Sequence, residues 1–142
     1  MNRLEREVLK CADRVVQMSR DRAGEVLDYT DGSIALVEEM LAEASAHARR
    51  MSEAQLRRLS QDIGCYILEV ARRNHGGGYV WAGDRNEPGM LVGEPRFAIT
   101  LFCWDKAYGR LRGGDAHGIP AFYGGFVERV RQAKPGERVV LL

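Results

Sequence analysis

The stretch Ile63-Gly64-Cys65-Tyr66-Ile67-Leu68-Glu69-Val70-Ala71-Arg72-Arg73-Asn74-His75-Gly76-Gly77-Gly78-Tyr79-Val80-Trp81 decides how this chain is read. Leu56, Leu59, Ile63, Ile67 and Val70 recur at helical spacing, and Gly64, Cys65 and Leu68 widen that stripe. A helix so apolar is expected to be contacted on more than one side, at the centre of the fold. A glycine inside it costs roughly 1 kcal/mol against alanine, so close approach by a neighbouring element is the expected compensation. Three consecutive glycines then supply a left-handed stop, and the alternation of Tyr79-Val80-Trp81-Ala82 begins a strand.

Upstream, Ser52-Glu53-Ala54-Gln55 has the spacing of a capping box and starts this third helix. Leu4, Val8, Cys11, Ala12, Val15 and Met18 mark a first amphipathic helix over residues 2–22. Thr30 or Asp31 is expected to cap a second, with Ile34, Val37, Met40, Leu41 and Ala44 inward and an end near Arg49. Downstream, residues 84–89 form a turn and Met90-Leu91-Val92 a hairpin partner. Residues 96–104 read as a central strand covered on both faces. Asp105 is expected to cap a short helix through Leu111, and Pro120 suits the first turn of a last helix with Phe122, Phe126, Val127 and Val130 inward. Residues 135–142 read as a short edge strand or a docked tail. The expected fold is α+β: three N-terminal helices, a small antiparallel sheet of about three strands, and one or two C-terminal helices in a single globular domain.

At 142 residues the chain suffices for one core, and its 21 basic and 20 acidic residues leave no global basic field. Neither nucleic acid nor a membrane surface is therefore an expected partner. The three cysteines, Cys11, Cys65 and Cys103, are dispersed and odd in number, which argues for reduced core thiols and a cytoplasmic location. No signal-peptide or membrane-spanning run is present in the sequence.

The chemistry-bearing residues suggest no catalytic residue, metal or cofactor. His75-Gly76-Gly77-Gly78 resembles an esterase oxyanion loop as a string, but no serine sits in a Gly-x-Ser-x-Gly elbow, so a helix end is the better reading. His47, His75 and His117 lack metal-ligand spacing. Glu69 is expected to pair with Arg72 and Arg73 on the surface, three and four residues on. Trp81, Trp104 and Tyr123 read chiefly as core packing. The residues best placed to recognise a partner are those of turns and of the later helices: Asp84, Arg85, Glu87, Asp105, Arg110, Arg112, Asp115, His117 and Tyr123.

Two elements carry a resemblance. Leu27-Asp28-Tyr29-Thr30 looks like a Leu-Asp-Tyr-Ser element, and residues 63–70 with Gly77 and Trp81 resemble a Leu-Gly-x-Tyr-x-Gly-Glu-Val helix followed by a Gly-Gly-x-Trp strand, with Leu68 at the second glycine. Both belong to a group of small bacterial α+β domains that resemble immunity proteins of secreted interbacterial toxins. The resemblance covers roughly residues 27–81. It implies a non-enzymatic inhibitor that binds a cognate toxin or effector domain and occludes its active site. The alternative is a small-molecule or nucleotide binding module using the basic, glycine-containing segment 106–114.

Overall fold

A computed structural model describes residues 1–22, 26–113 and 118–142. Helix α1 (Arg3–Arg20) is followed by a single 3-10 turn and α2 (Ile34–Ser45), then a second 3-10 turn and α3 (Glu53–His75). Strands β1 (Gly78–Ala82), β2 (Glu87–Val92) and β3 (Ala98–Leu101) follow. Helices α4 (Trp104–Leu111) and α5 (Gly118–Gln132) precede the last strand, β4 (Arg138–Leu141).

The central helix behaves as its sequence predicts. Ser52 Oγ accepts from the Gln55 amide at 3.1 Å while Gln55 Oε1 accepts from the Ser52 amide at 2.8 Å, closing the capping box. Residues 62–71 are buried without interruption. Helix α1 packs along one side of α3, α4 crosses another, and β2 covers part of the remainder. Gly64 is where α4 comes closest: a Cβ built there would lie 2.7 Å from Trp104 Cδ1 and 3.1 Å from the Trp104 amide nitrogen. The helix ends at Gly76, whose φ of 81° is open to glycine at little cost. At Gly77 (φ 102°) the chain passes so near β2 that a Cβ would meet the Leu91 carbonyl oxygen at 2.4 Å.

The sheet is larger than expected, and mixed. Its order is β1-β2-β3-β4, with β1–β2 and β2–β3 antiparallel but β3–β4 parallel. The expectation of about three antiparallel strands fails because the C-terminal segment docks. Ala98 pairs with Arg138 and Leu101 with Leu141, placing Val139 and Leu141 against the core and leaving Val140 exposed. Helices α4 and α5 lie in the connection from β3 to β4, the long kind of link that parallel pairing requires. The long strand expected over residues 96–104 shrinks to β3, because the chain turns into α4 at Trp104.

Three expected local features are corrected. Neither Thr30 nor Asp31 caps α2: the Thr30 hydroxyl donates to Asp28 at 2.6 Å, and Asp31 accepts from Tyr123 instead. Asp105 lies inside the first turn of α4, whose cap position is Cys103. The second helix stops at Ser45 rather than near Arg49, and Ala48–Arg50 form a separate 3-10 turn.

The segment 27–30 is clamped onto α3. Tyr66, fully buried, uses its hydroxyl to accept from the Tyr29 amide at 2.9 Å and to share a hydrogen with Ser33 at 2.7 Å. Asn74 donates to the Tyr29 carbonyl at 2.8 Å, and Arg73 stacks over the Tyr29 ring at 3.8 Å. Tyr29 itself takes a left-handed φ of 63°. A Tyr66→Phe variant is expected to lose about 1–2 kcal/mol, since it removes the partner of the part-buried Tyr29 amide and of the buried Ser33 hydroxyl while keeping the ring. Urea denaturation measures this, and an unchanged midpoint would contradict the clamp.

Candidate functional site

Two cavities compete for attention. The larger, about 650 Å³, is an open apolar groove between α1 and α3 lined by Met18, Met51, Leu59 and the stems of Arg14 and Arg58. Its buried polar group, Asp62, is already held by Arg14 at 3.1 Å and by Arg58 at 3.7 Å, so little remains to orient a ligand. The smaller, about 320 Å³, is polar and lies between the β1–β2 turn, α3 and the first turn of α4. Arg57, Gln61, Asp84, Arg85, Asn86, Glu87, Trp104 and Asp105 surround it. We take this cleft as the candidate site.

Local backbone conformation builds it. Asn86 adopts φ 55°, which asparagine tolerates better than most residues and which reverses the chain into β2. Arg85 sits at the centre: its Nε donates to Glu87 Oε1 at 2.7 Å and its Nη2 to Asp105 Oδ2 at 3.1 Å. The guanidinium also stacks over Phe102 at 4.9 Å. Phe102 can lie there because β2 carries Gly89, where a Cβ would meet the ring at 2.7 Å. Arg57 reaches the cleft from α3, anchored by Glu53 at 3.0 Å and stacked on Tyr108 at 4.2 Å.

Glu87 is the unusual member. It is 3% exposed, and its Oε2 is buried without a hydrogen-bond partner near the start of α4. Burial pushes its carboxyl above the usual value, a rise that the Arg85 contact only partly offsets. Since its folded pKa lies above the unfolded one, the stability it contributes is present at low pH and lost as pH rises through the folded value.

The structure therefore gathers Asp84, Arg85, Glu87 and Asp105, four of the residues picked from the sequence. The others go elsewhere. Arg110 is taken by Glu38, with Nε 2.8 Å from Oε2 and 3.0 Å from Oε1. Arg112 lies 3.9 Å from Glu53 and 5.9 Å from the Tyr108 ring, on the strip that leads to Arg57. Tyr123 is buried, and its hydroxyl donates to Asp31 at 2.5 Å; a partner cannot reach it. Asp115 and His117 lie outside the described residues.

The reading of Glu69 needs correction. It does pair with Arg72 and Arg73, each at 2.7 Å, but not on the surface: Glu69 is fully buried. Tyr79 donates a third contact at 2.5 Å. The pairs that helical spacing suggested are correct; the strand folding back over them is what removes the solvent.

Sequence reasoning also missed Trp81. It is 51% exposed rather than core, near the end of β1 beside Leu4, Val8 and Pro88. Tyr79, two residues earlier on the same face, is packed against the core. Its position beside a turn was the available signal. Arg57 and Gln61 were missed because they belong to the polar side of a helix, which gives no sequence hint of a cleft.

Among the described residues no group of three or more His, Cys, Asp or Glu side chains is placed to hold a metal ion, and no helix is long and apolar enough to cross a membrane. No family model, curated protein or solved structure matches this chain.

Proposed function

We propose that this chain is a protein-binding inhibitor, an immunity protein that occludes the active site of a cognate bacterial toxin in the cytoplasm. The observation that carries the reading is the half-exposed Trp81 on the same hairpin as the Arg85-centred ion-pair cluster. Large aromatic and arginine side chains are the residue types that dominate binding energy in protein interfaces. Asp84 and Asp105 on the exposed rim add charges suited to steering a basic partner. The short motifs shared with immunity-like domains support the same reading. A partner seated over the hairpin, the α3 face and α4 would bury on the order of 1,600 Å² in total.

The test is a binding measurement with the toxic domain encoded by the adjacent gene. An equimolar complex and protection of co-expressing cells are expected. Trp81→Ala should weaken the complex by about 2 kcal/mol, roughly thirty-fold, and Asp84→Arg should slow association. Both substitutions fall at exposed positions, so thermal midpoints should stay near that of the parent. A neighbouring toxin that is neither bound nor neutralised would refute the proposal.

A further inference from the structure

The cysteines that are far apart in sequence are not far apart in space. Cys11 on α1 and Cys65 on α3 meet where the two helices pack: they line one cavity, each near enough to bear on the other thiol's ionisation. Arg14, one helical turn beyond Cys11, donates from Nη2 to the Cys11 sulfur at 3.1 Å while the same nitrogen donates to Asp62 Oδ1 at 3.1 Å. The indole N–H of Trp104 is buried without a conventional partner and lies against the Cys65 sulfur. Cys11 is partly exposed, Cys65 is not, and both line an apolar cavity of about 200 Å³ with Leu4, Val8, Trp81 and Pro88.

We infer that Cys11 and Cys65 form a peroxide-oxidisable dithiol, with Cys11 the attacking sulfur and Cys65 the resolving one. The arrangement assigns the roles. Cys11 is reachable from the cavity and touches a fixed cation, the setting in which a thiolate forms. The Cys65 thiol and the Arg14 charge hold the Cys11 thiol below its ordinary value against the opposing effect of burial, while the Cys11 contact and burial push Cys65 up.

In the first step the Cys11 thiolate attacks one oxygen of hydrogen peroxide. The O–O bond breaks, an S–O bond forms, and the other oxygen leaves as water after taking a proton. In the second, Cys65 loses its proton and attacks the Cys11 sulfur; the S–S bond forms, the S–O bond breaks and a second water leaves. Two thiols are oxidised by two electrons and one peroxide is reduced to two waters. The product would tie α1 covalently to α3. This chemistry is independent of toxin binding and needs no partner protein.

Stoichiometric hydrogen peroxide added to the reduced 142-residue chain is expected to remove two hydrogens from the intact mass. Peptide mapping should find a Cys11–Cys65 link, with Cys103 still free to alkylate after unfolding. Cys65→Ser should stop at the sulfenic acid, trapped by dimedone, and Cys11→Ser should form no link. Arg14→Met should move the pH profile of Cys11 oxidation upward, which a purely structural role for Arg14 would not do. Oxidation of Cys11 no faster than that of free glutathione, or linkage through Cys103 instead, would overturn the assignment.

Discussion

Replacing Glu69 with alanine is expected to destabilise the protein by about 3–5 kcal/mol at pH 7, as measured by urea unfolding. The carboxylate is fully buried and holds Arg72, Arg73 and Tyr79 within 2.7 Å or less. The two arginines keep part of their surface in water and re-solvate when the carboxylate goes, which limits their share of the loss. Most of the loss comes from the cavity where the methylene and carboxyl groups had been and from the part-buried Tyr79 hydroxyl, left without its acceptor. For a domain with a total stability of about 5–15 kcal/mol this is a large fraction. Burial alone would raise the Glu69 pKa, but Arg72, Tyr79 and Arg73 together outweigh it and hold the group below its ordinary 4.5. Its contribution is therefore complete above the unfolded value and lost as pH falls through the folded one. The alanine variant should show a flatter acid limb than the parent. A loss under about 1 kcal/mol with an unchanged acid limb would show that the cluster is solvated in solution.

Substitution at Gly64 is expected to be the next most damaging, about 1–3 kcal/mol for alanine and more for valine. Two effects oppose each other. Alanine favours the helix over glycine by about 1 kcal/mol. Against that, the new methyl would press on Trp104 Cδ1 at 2.7 Å, the Trp104 amide at 3.1 Å and the Cys103 carbonyl carbon at 3.2 Å. Two of those atoms are backbone and cannot rotate away, so α4 must retreat from α3. The steric effect wins. Because Trp104 and Asp105 border the polar cleft, the same shift should weaken partner binding beyond what Trp81→Ala does alone. Thermal unfolding paired with a binding measurement separates the two losses. A Gly64→Ala protein more stable than the parent would show that α4 yields easily.

Both sites bear on how much of the molecule was legible in its sequence. The capping box at Ser52 and the stop at Gly76 were readable because each is a local rule, with the residue type and its cause within one turn of chain; at Gly64 only the need for a close approach was readable, because the element that makes it, α4, lies far along the chain. The hairpin was readable because alternation broken by Asp-Arg-Asn-Glu-Pro-Gly has few other solutions, but the turn was read too long: Glu87, Pro88 and Gly89 belong to β2 and pair with β1. Within the candidate site, Asp84, Arg85 and Glu87 were found as turn residues and Asp105 as a helix-start residue. Their convergence was not visible, since it depends on where α4 lands. Tyr66 and Glu69, within the segment that carries the resemblance, prove to make scaffold contacts: Tyr66 clamps Tyr29, and Glu69 gathers two arginines and Tyr79. Neither contact forms part of the polar cleft.

The sequence by itself determined the order of elements, the central helix and its ends, because hydrophobic period, caps and glycine stops act over a few residues. Tertiary structure alone decided that Glu69 is buried, that Trp81 is exposed, that β4 joins the sheet in parallel, and that Cys11 meets Cys65. Each of those depends on contacts between segments distant along the chain. Helical periodicity gives the direction in which a side chain points, and only packing determines whether water or another element waits there.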